Sequence, residues 1–269
     1  EYLLKDKRIK VIHKENGGEF SSRYAAMQVA VGQYATGLDA DDKYLPDYLE
    51  TIAKEIKKGN YDCIKWSFTF FEEQRGIAQL PVDSIGEYSG QDYLKFVVRT
   101  TLHSFCSQAI KMDLLKRVDF TDVPKVRMSE DYIMVIPALC HVKNAKVIDY
   151  YGYLYRIHSN SASNLVNFSK IYDLCEVSKY GVQSMQAAGV LTKELEDGEH
   201  LAFLNCVWPR IKIALKNNAI SDEQIKIIRN HGSYSSSKKM ESIHVFGIKE
   251  FVRMKLFRYG YVNLLKKVL

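Results

Sequence analysis

The spacing of hydrophobic positions divides the chain into a mixed first part and a mainly helical second part. Polar and apolar residues alternate over residues 8–13, and a short apolar run covers residues 34–38, so both segments are predicted as strands. Apolar residues recur at helical spacing over residues 46–58, and Gly59-Asn60 marks the end of that helix. These patterns indicate a first part in which strands alternate with helices.

The same periodicities extend along the rest of the chain. The predicted strands are residues 62–71 and 145–155, and residues 73–90 are predicted as a polar connection. The predicted helices are residues 22–31, 91–98, 108–116, 130–139, 171–188, 191–217 and 221–231, followed by a soft joint at residues 232–239. We therefore predict an α/β domain over residues 1–163 and a helical region over residues 164–269.

The composition is that of an ordinary globular protein. Of the 269 residues, 46% are hydrophobic and 26% are charged, which is enough to bury a sizeable core. No segment approaches the ~20 consecutive apolar residues of a membrane-spanning helix, and no charged-then-apolar stretch indicates a signal peptide. The five cysteines are scattered without zinc-binding spacing, so we expect reduced thiols and a cytoplasmic location.

A basic and aromatic segment covers residues 243–269, and the formal net charge of the chain is +6. Its mixture of cations and large apolar groups could lie on an anionic lipid surface. A helix that packs its aromatic face on the domain explains the same pattern, and the sequence leaves both alternatives open. No nucleic-acid-binding fold or motif accompanies the charge, so nucleic acid is excluded as a partner.

Three carboxylates stand close together directly after the apolar run that ends at Leu38. Asp39, Asp41 and Asp42 would repel one another unless a cation or solvent offsets their charge. A hard divalent ion such as Mg²⁺ or Mn²⁺ prefers one or two carboxylates together with phosphate oxygens. The alternative is an acidic turn that caps the helix after Pro46.

Several short motifs stand in a fixed order around this acidic cluster. They are Asn16-Gly17-Gly18, Arg23-Tyr24-Ala25-Ala26, Gly32-Gln33-Tyr34, Glu130-Asp131, and Tyr155-Arg156-Ile157-His158 followed by Ser161. In this order and at these separations they resemble the family 2 glycosyltransferases of the GT-A fold, of the kind that builds bacterial cell-surface polysaccharides. The resemblance covers roughly residues 8–163.

The resemblance implies an α/β fold of the GT-A nucleotide-diphospho-sugar transferase type, followed by the helical C-terminal region. It implies an inverting, metal-dependent transfer of a sugar from a nucleotide-sugar, with a UDP-sugar as the expected donor and Mn²⁺ or Mg²⁺ as cofactor. The acceptor would be a hydroxyl of a glycan or a lipid-linked saccharide, reached at the inner face of the cell membrane by peripheral contact. A phosphotransferase or hydrolase is less compatible, because the chain has no glycine-rich lysine motif for phosphate.

The family domain normally opens with a strand, a helix and a second strand that carries a nucleotide-binding Asp. Nothing before residue 8 supplies these elements, so we expect the domain to lack its N-terminal part. The alternative function is therefore an inactive GT-A remnant or an accessory binding subunit.

The resemblance also implies roles for individual residues. Asp131 would be the general base, and Glu130 would bind or orient the acceptor. The implied donor-binding residues are Asn16, Arg23, Asp39, Asp41 and Arg156, and the implied metal ligands are Asp41, Asp39 and His158. Simpler explanations stay open: the acids at 130 and 131 could only stabilise a helix N-terminus, Asn16 and Arg23 could only order a loop, and His158 could be structural.

Overall fold

The computed structural model describes residues 2–71, 77–78, 84–156 and 166–269. In these ranges the strands are β1 (Tyr34–Ala35), β2 (Lys43–Tyr44), β3 (Cys63–Lys65), β4 (Phe68–Phe71), β5 (Ile77–Ala78), β6 (Gly86–Ser89), β7 (Gln108–Lys111), β8 (Asn144–Val147) and β9 (Tyr153–Arg156). The helices are α1 (Tyr2–Lys5), α2 (Gly18–Val29), α3 (Tyr48–Gly59), α4 (Gly90–Thr100), α5 (Met112–Arg117), α6 (Glu130–Leu139), α7 (Phe168–Ala187), α8 (Lys193–Lys216), α9 (Asp222–Asn230), α10 (Gly232–Ser236), α11 (Ile243–Arg258) and α12 (Val262–Val268).

The described strands form two mixed sheets. The first has the order β1-β7-β3-β8-β6, in which only the β3–β8 pair is parallel, with Cys63 opposite Ala145. The second has the order β2-β9-β4-β5, and its parallel pair joins β4 to β9, with Phe68 opposite Tyr153. Because β3 and β4 follow one another along the chain, the two sheets are joined at Trp66 and Ser67.

Helix α6 is the centre of the largest hydrophobic core. Every residue from Tyr132 to Leu139 is buried, so this helix packs on all sides, as a helix that is apolar all round does. Helix α7 passes close to it, because a Cβ atom on Gly181 would lie 2.4 Å from the Tyr132 hydroxyl. The first turn of α6 is therefore held rigidly where the core meets solvent.

The C-terminal helices form a second core that includes the basic and aromatic segment. Met254, Phe257 and Leu265 are fully buried, and the Phe257 ring contacts Trp208 and Tyr234 at centroid distances of 6.0 and 5.5 Å. Of the two alternatives for residues 243–269, packing on the domain therefore applies to these three side chains. The predicted boundary between residues 163 and 164 lies outside the described residues.

The long helices were predicted well, while several short elements were predicted wrongly. Residues 8–13 form no strand, because they lie exposed and pair with no other strand. Residues 108–116 are strand β7 followed by α5, since the buried Gln108–Ile110 stretch pairs with both β1 and β3. Residues 145–155 form two strands in different sheets, and residues 86–89, predicted as connection, form β6.

The helix predicted for residues 22–31 begins earlier, at Gly18, without a side-chain cap. The run predicted as one strand over residues 34–38 is a two-residue strand followed by a loop. Residues 232–239, predicted as a soft joint, are helical because the Tyr234 side chain is buried there against Phe257. Local sequence favoured a turn, and burial of one aromatic ring overrode it.

Glu241 fixes α11 to the rest of the C-terminal core. Its side chain is completely buried and its Oε2 lies 3.0 Å from the Lys255 Nζ. Its Oε1 accepts a hydrogen bond of 2.8 Å from the Arg258 Nε, and the Arg258 guanidinium stacks 4.4 Å from the centre of the Tyr234 ring. Lys255 and Arg258, two of the cations in residues 243–269, are therefore paired within the protein.

Glu241→Ala should destabilise the protein by about 3–5 kcal/mol, because it leaves the partly buried Lys255 and Arg258 without their shared carboxylate. Chemical unfolding measures this. The control is Glu50→Ala, whose ion pair with Lys54 is exposed on both sides and should contribute about 0–1 kcal/mol. Equal losses in the two variants would contradict a structural role for the buried ion cluster.

Candidate active site

The acidic residues predicted as site residues line one cleft of about 370 Å³. Asp39 and Asp41 reach it from the loop between β1 and β2, Glu130 and Asp131 from the first turn of α6, and Arg23 from α2. The other lining residues are Glu19, His103, Ser104, Cys106, Arg127, Met128, Ser129, Tyr155 and Lys170. The cleft thus joins three distant parts of the sequence at the edge of the core.

The acidic loop is held by hydrogen bonds from the second sheet and from the turn that precedes β7. The Asp39 backbone N–H donates to the Tyr153 hydroxyl at 3.2 Å, and the Tyr44 hydroxyl donates to the Gly37 carbonyl at 2.7 Å. Gly37 in turn donates its N–H to the Phe105 carbonyl at 3.3 Å. Asp39 is consequently presented to the cleft by backbone that is anchored on either side.

Asp42 has a different role from its two acidic neighbours. Its buried carboxylate accepts hydrogen bonds from the Tyr153 hydroxyl at 2.5 Å and from the Arg156 backbone N–H at 2.7 Å. Burial raises the pKa of Asp42, which these two hydrogen bonds partly oppose. Asp42 therefore ties the acidic loop to β9, and the N-cap position of α3 is occupied by Asp47 instead.

Arg23 lies between the two groups of carboxylates and contacts both. Its Nη2 is 2.7 Å from the Asp39 Oδ1, and its Nη1 is 2.5 Å from the Asp131 Oδ1. Glu130 follows at 3.6 Å from Nη1, and only 16% of the Arg23 side chain is exposed. A planar guanidinium can bridge two carboxylates in this way, whereas a lysine ammonium presents a single centre of charge.

Asp131 combines a mostly buried carboxylate, 18% exposed, with a nearby cation. Burial raises the pKa of Asp131 to about 6, although Arg23 and a hydrogen bond from the Phe105 backbone N–H act in the opposite direction. A carboxylate with this pKa is mostly ionised at neutral pH and is a better proton acceptor than an ordinary aspartate. Its environment is suited to a general base.

Glu130 and Glu19 form a second acidic pair in the cleft. A hydrogen bond between them raises the pKa of Glu19, with burial and the charge of Glu130 adding to the effect. The pKa of Glu130 is lowered, because this hydrogen bond and Arg23 outweigh its burial. Glu19 was missed in the sequence, where its only signal is a position four residues before Arg23 on the same helix.

A buried polar layer underlies the cleft. Lys65 is almost fully buried, its Nζ donates to the Ser107 Oγ at 3.0 Å, and burial lowers the pKa of this ammonium to about 8. Burial, together with Lys65, lowers the pKa of His103 to about 4, so its ring is neutral. Neither residue carries a sequence signal, because Lys65 lies on β3 and His103 in the segment before β7, and only the pairing of these two strands brings the segments close in space.

Two of the predicted site residues, Asn16 and Arg156, are not among the residues that line the cleft. Asn16 is exposed, and its Oδ1 accepts the Gly18 N–H at 3.1 Å, an interaction that orders the turn before α2. Arg156 ends β9 with an exposed side chain, and its backbone contacts Asp42. His158 lies outside the described residues.

The described residues offer a divalent ion few ligands. In the ranges that the structure describes, no group of three or more His, Cys, Asp or Glu side chains is arranged around one point. Asp39 and Asp41 nevertheless both face the cleft, two residues apart. One or two carboxylates completed by substrate phosphates and water are the usual protein ligands of Mg²⁺, so this donor set fits such an ion.

The first part of the chain is similar to a known family. Residues 1–117 match the model of glycosyl transferase family 2. The uncharacterized glycosyltransferase MJ1057 of Methanocaldococcus jannaschii is 30% identical over 158 residues, which cover 58% of this chain and 53% of that protein. The uncharacterized glycosyltransferase EpsJ of Bacillus subtilis is 24% identical over 170 residues, covering 61% of this chain and 49% of EpsJ. The chain thus spans about half the length of these curated relatives.

The fold is shared with the solved structures of S. aureus TarS. Residues 1–349 of TarS in complex with UDP-GlcNAc superpose with a TM-score of 0.65 at 17% identity, covering 99% of this chain and 77% of that one. The TarS complex with UDP gives a TM-score of 0.60 at 16% identity, with coverages of 94% and 70%. Taken with the mixed sheets flanked by helices, these similarities show an α/β GT-A fold with a helical C-terminal region, whose first 117 residues are similar to glycosyl transferase family 2.

Proposed function

We propose that the protein transfers a sugar from a nucleotide-sugar, with a UDP-sugar as donor, to a hydroxyl group of a saccharide acceptor with inversion at the anomeric carbon. The observation that carries this proposal is the link from Asp39 through Arg23 to Asp131, which joins a donor-side acid and a candidate base in one cleft. TarS, which shares the fold, forms complexes with UDP and UDP-GlcNAc, and these support the choice of donor.

In the proposed reaction Asp131 accepts the proton of the acceptor hydroxyl. The acceptor oxygen bonds to the anomeric carbon while the bond from that carbon to the diphosphate breaks, and the nucleoside diphosphate leaves with the electron pair. A single displacement inverts the anomeric centre. Cys106 also lines the cleft, but burial raises the pKa of its thiol, so it stays protonated and is a poor nucleophile.

The proposed metal site consists of Asp41 and Asp39. Mn²⁺ or Mg²⁺ bound there would neutralise charge that develops on the leaving diphosphate. Arg23 compensates part of the Asp39 charge, and Asp41 faces the same cleft as the proposed principal ligand. His158 stays a predicted ligand without a described position.

The second candidate is a GT-A protein that binds ligands without catalysing transfer. The match to the family model and the half-length overlap with curated relatives are compatible with either function. The presence of the base, the bridging arginine and the two donor-side acids favours the enzyme. Calorimetric titration with UDP and Mn²⁺ separates the two when it is combined with the activity measurements below.

We further propose that the acceptor is a glycan or lipid-linked saccharide and that α11 contacts the inner face of the cell membrane. Among the described residues no helix has both the length and the apolar character needed to cross a bilayer. Ile248, Val252 and Tyr259 are 68%, 47% and 59% exposed at helical spacing, and Lys249 stands beside them. A face of this kind can lie at the headgroup boundary of anionic lipid.

Asp41→Asn should abolish metal-dependent transfer, because it removes the proposed principal ligand of the ion. UDP should then bind with little or no enhancement by Mn²⁺, as measured by calorimetry. Asp122→Asn, a change at an exposed residue outside the cleft, should leave transfer and binding unchanged. Full Mn²⁺-dependent turnover in the Asp41 variant would rule out this ligand.

Asp131→Asn should lower turnover by at least ~10²-fold while UDP affinity stays nearly constant. The base acts in its ionised form, so wild-type kcat/KM should fall as the pH decreases through about 6, and this inflection should disappear in the variant. Asp113→Asn on the exposed face of α5 is the matched control. A comparable loss of UDP affinity would instead identify Asp131 as a structural or donor-binding residue.

The double variant Ile248→Ser and Val252→Ser should reduce binding to phosphatidylglycerol vesicles by at least about tenfold, because two apolar contacts with the lipid are lost. Vesicle sedimentation at low and high salt measures this, and screening should weaken the binding of the wild type. Ile213→Ser on α8 removes a residue that is 45% exposed and provides the control. If neither wild type nor variants sediment with vesicles, α11 is not a membrane contact.

A further inference from the structure

Lys65 is a charged side chain inside the first sheet. It lies on the central strand β3, opposite Gln108 on β7 and Val147 on β8, and it is 1% exposed. In the described parts of the chain no carboxylate pairs with its ammonium, which donates to the neutral Ser107 hydroxyl at 3.0 Å. Burying a cation without a carboxylate costs free energy, so stability does not explain this lysine.

A short turn, residues Phe105–Ser107, receives the hydrogen bond of this ammonium. Its Ser107 hydroxyl donates in turn to the Ser104 carbonyl at 3.2 Å. The buried Gln108 side chain donates to the same carbonyl at 3.0 Å, and its Oε1 accepts from the Tyr93 hydroxyl at 3.1 Å. The place of the ammonium relative to the turn is therefore fixed by buried hydrogen bonds.

Asp131 interacts with the same turn. The Phe105 backbone N–H acts on its carboxylate, and the charges of Asp131 and Lys65 both act on the Cys106 thiol between Phe105 and Ser107. The charge of Asp131 also favours the protonated form of Lys65. Because the interaction of two charges is reciprocal, the ammonium favours the ionised form of Asp131 to the same extent.

Among the described residues, Asp131 is the ionised group to which Lys65 responds. The other groups that act on the ammonium are the thiols of Cys63 and Cys106, and burial raises the pKa of both, so they stay neutral. His103, on which Lys65 acts, is neutral as well. The coupling between Lys65 and Asp131 is therefore one between a cation and an anion.

The other charges around Asp131 oppose one another. Arg23 favours its ionised form, while Glu130 and Asp39 favour the protonated form, as burial does. One guanidinium thus acts against two carboxylates and the loss of hydration. Lys65 adds a second cation from β3, a different element from the α2 helix that carries Arg23.

We propose that Lys65 acts on the transfer reaction through Asp131, as a buried cation that favours the ionised carboxylate and so keeps the base able to accept the proton of the acceptor hydroxyl. This inference rests on the proposed function for the role of Asp131. The electrostatic coupling of the two side chains does not depend on that role, and buried ionisable groups of this kind are common beside functional sites.

Lys65→Met removes the charge and keeps the length of the side chain. The pKa of Asp131 should then rise from about 6 by about half to one unit, because one of the cations that favour its ionised form is lost. Carbon NMR of protein labelled at aspartate measures this titration without any ligand, and the signal missing from Asp131→Asn identifies the residue. Ser107 keeps its hydrogen bond with the Ser104 carbonyl in this variant.

The control is Lys111→Met on the neighbouring strand β7, whose ammonium lies 2.8 Å from the Asp62 carboxylate. It removes one positive charge from the same sheet and should leave the Asp131 titration unchanged. Thermal unfolding adds a second contrast. Lys65→Met should be at least as stable as the wild type because a buried unpaired charge is removed, whereas a structural lysine would lower the stability when lost.

Asp131→Asn tests the same coupling in the other direction. Burial lowers the pKa of Lys65 to about 8, and this pKa should fall further when the carboxylate charge is removed. Carbon NMR of protein labelled at lysine follows this titration, with Lys65→Met identifying the signal. Asp113→Asn on the exposed face of α5 should leave the titration unchanged.

The consequence for the reaction is measured as UDP release from UDP-GlcNAc, with water as the acceptor. Lys65→Met should be slower than the wild type by about two- to fivefold at pH 6, where less of its Asp131 is ionised, and nearly equal at pH 8.5. UDP affinity measured by calorimetry should stay within about twofold of the wild type. A purely structural defect would slow the reaction equally at both pH values.

Three results would overturn the proposal: an unchanged Asp131 titration in Lys65→Met, an equal shift in Lys111→Met, or a loss of turnover that does not depend on pH. If the wild type turns over UDP-GlcNAc with an inflection near pH 6 and Lys65→Met behaves identically, this inference fails and the proposed function stands. If the two titrations shift as expected but the wild type neither binds UDP nor releases it from UDP-GlcNAc, the coupling is supported and the proposed function fails.

Discussion

The bridge that Arg23 forms between Asp39 and Asp131 is the interaction on which the cleft depends. Without it, several carboxylates would face one another in a partly buried space. Two like charges 4 Å apart repel by about 4 kcal/mol at an effective dielectric constant of ~20. A guanidinium with one nitrogen at 2.7 Å from Asp39 and another at 2.5 Å from Asp131 offsets this repulsion and fixes the distance between the acids. The loop between β1 and β2, α2 and α6 are thereby held in one arrangement.

The scaffold makes that arrangement precise. Asp131 stands at the start of α6, a helix whose residues from Tyr132 onward are all buried, so its position is set by core packing on every side. The opposite wall is a loop, but Asp42 ties it to β9 through Tyr153 and the Arg156 backbone. Both acids that Arg23 joins are consequently anchored by buried residues that do not themselves face the cleft.

Sequence pattern predicted the parts of the structure that depend on neighbouring residues. Helices α7, α8 and α9 have long periodic patterns, and the motifs containing Arg23, Asp39 and Asp131 could be recognised because each is a short contiguous string. Strand β7 was predicted as helix because its character comes from pairing on both sides. Glu19, Arg127 and Lys170 were missed because only the packing of α2, α6 and α7 brings them to one cleft. Their proximity is a product of tertiary packing, and no local spacing in the sequence indicates it.

The properties of Asp131 result from two opposing effects, and neither alone would give a useful base. An adjacent arginine in an open site would lower the pKa of the carboxylate, which would then be ionised but weakly basic. Burial without a cation would raise the pKa and favour the protonated acid at neutral pH. With burial dominant and Arg23 opposing it, the pKa reaches about 6, and the carboxylate is both ionised and basic near neutrality. The same guanidinium that permits the acids to approach one another therefore also keeps the candidate base in its reactive form.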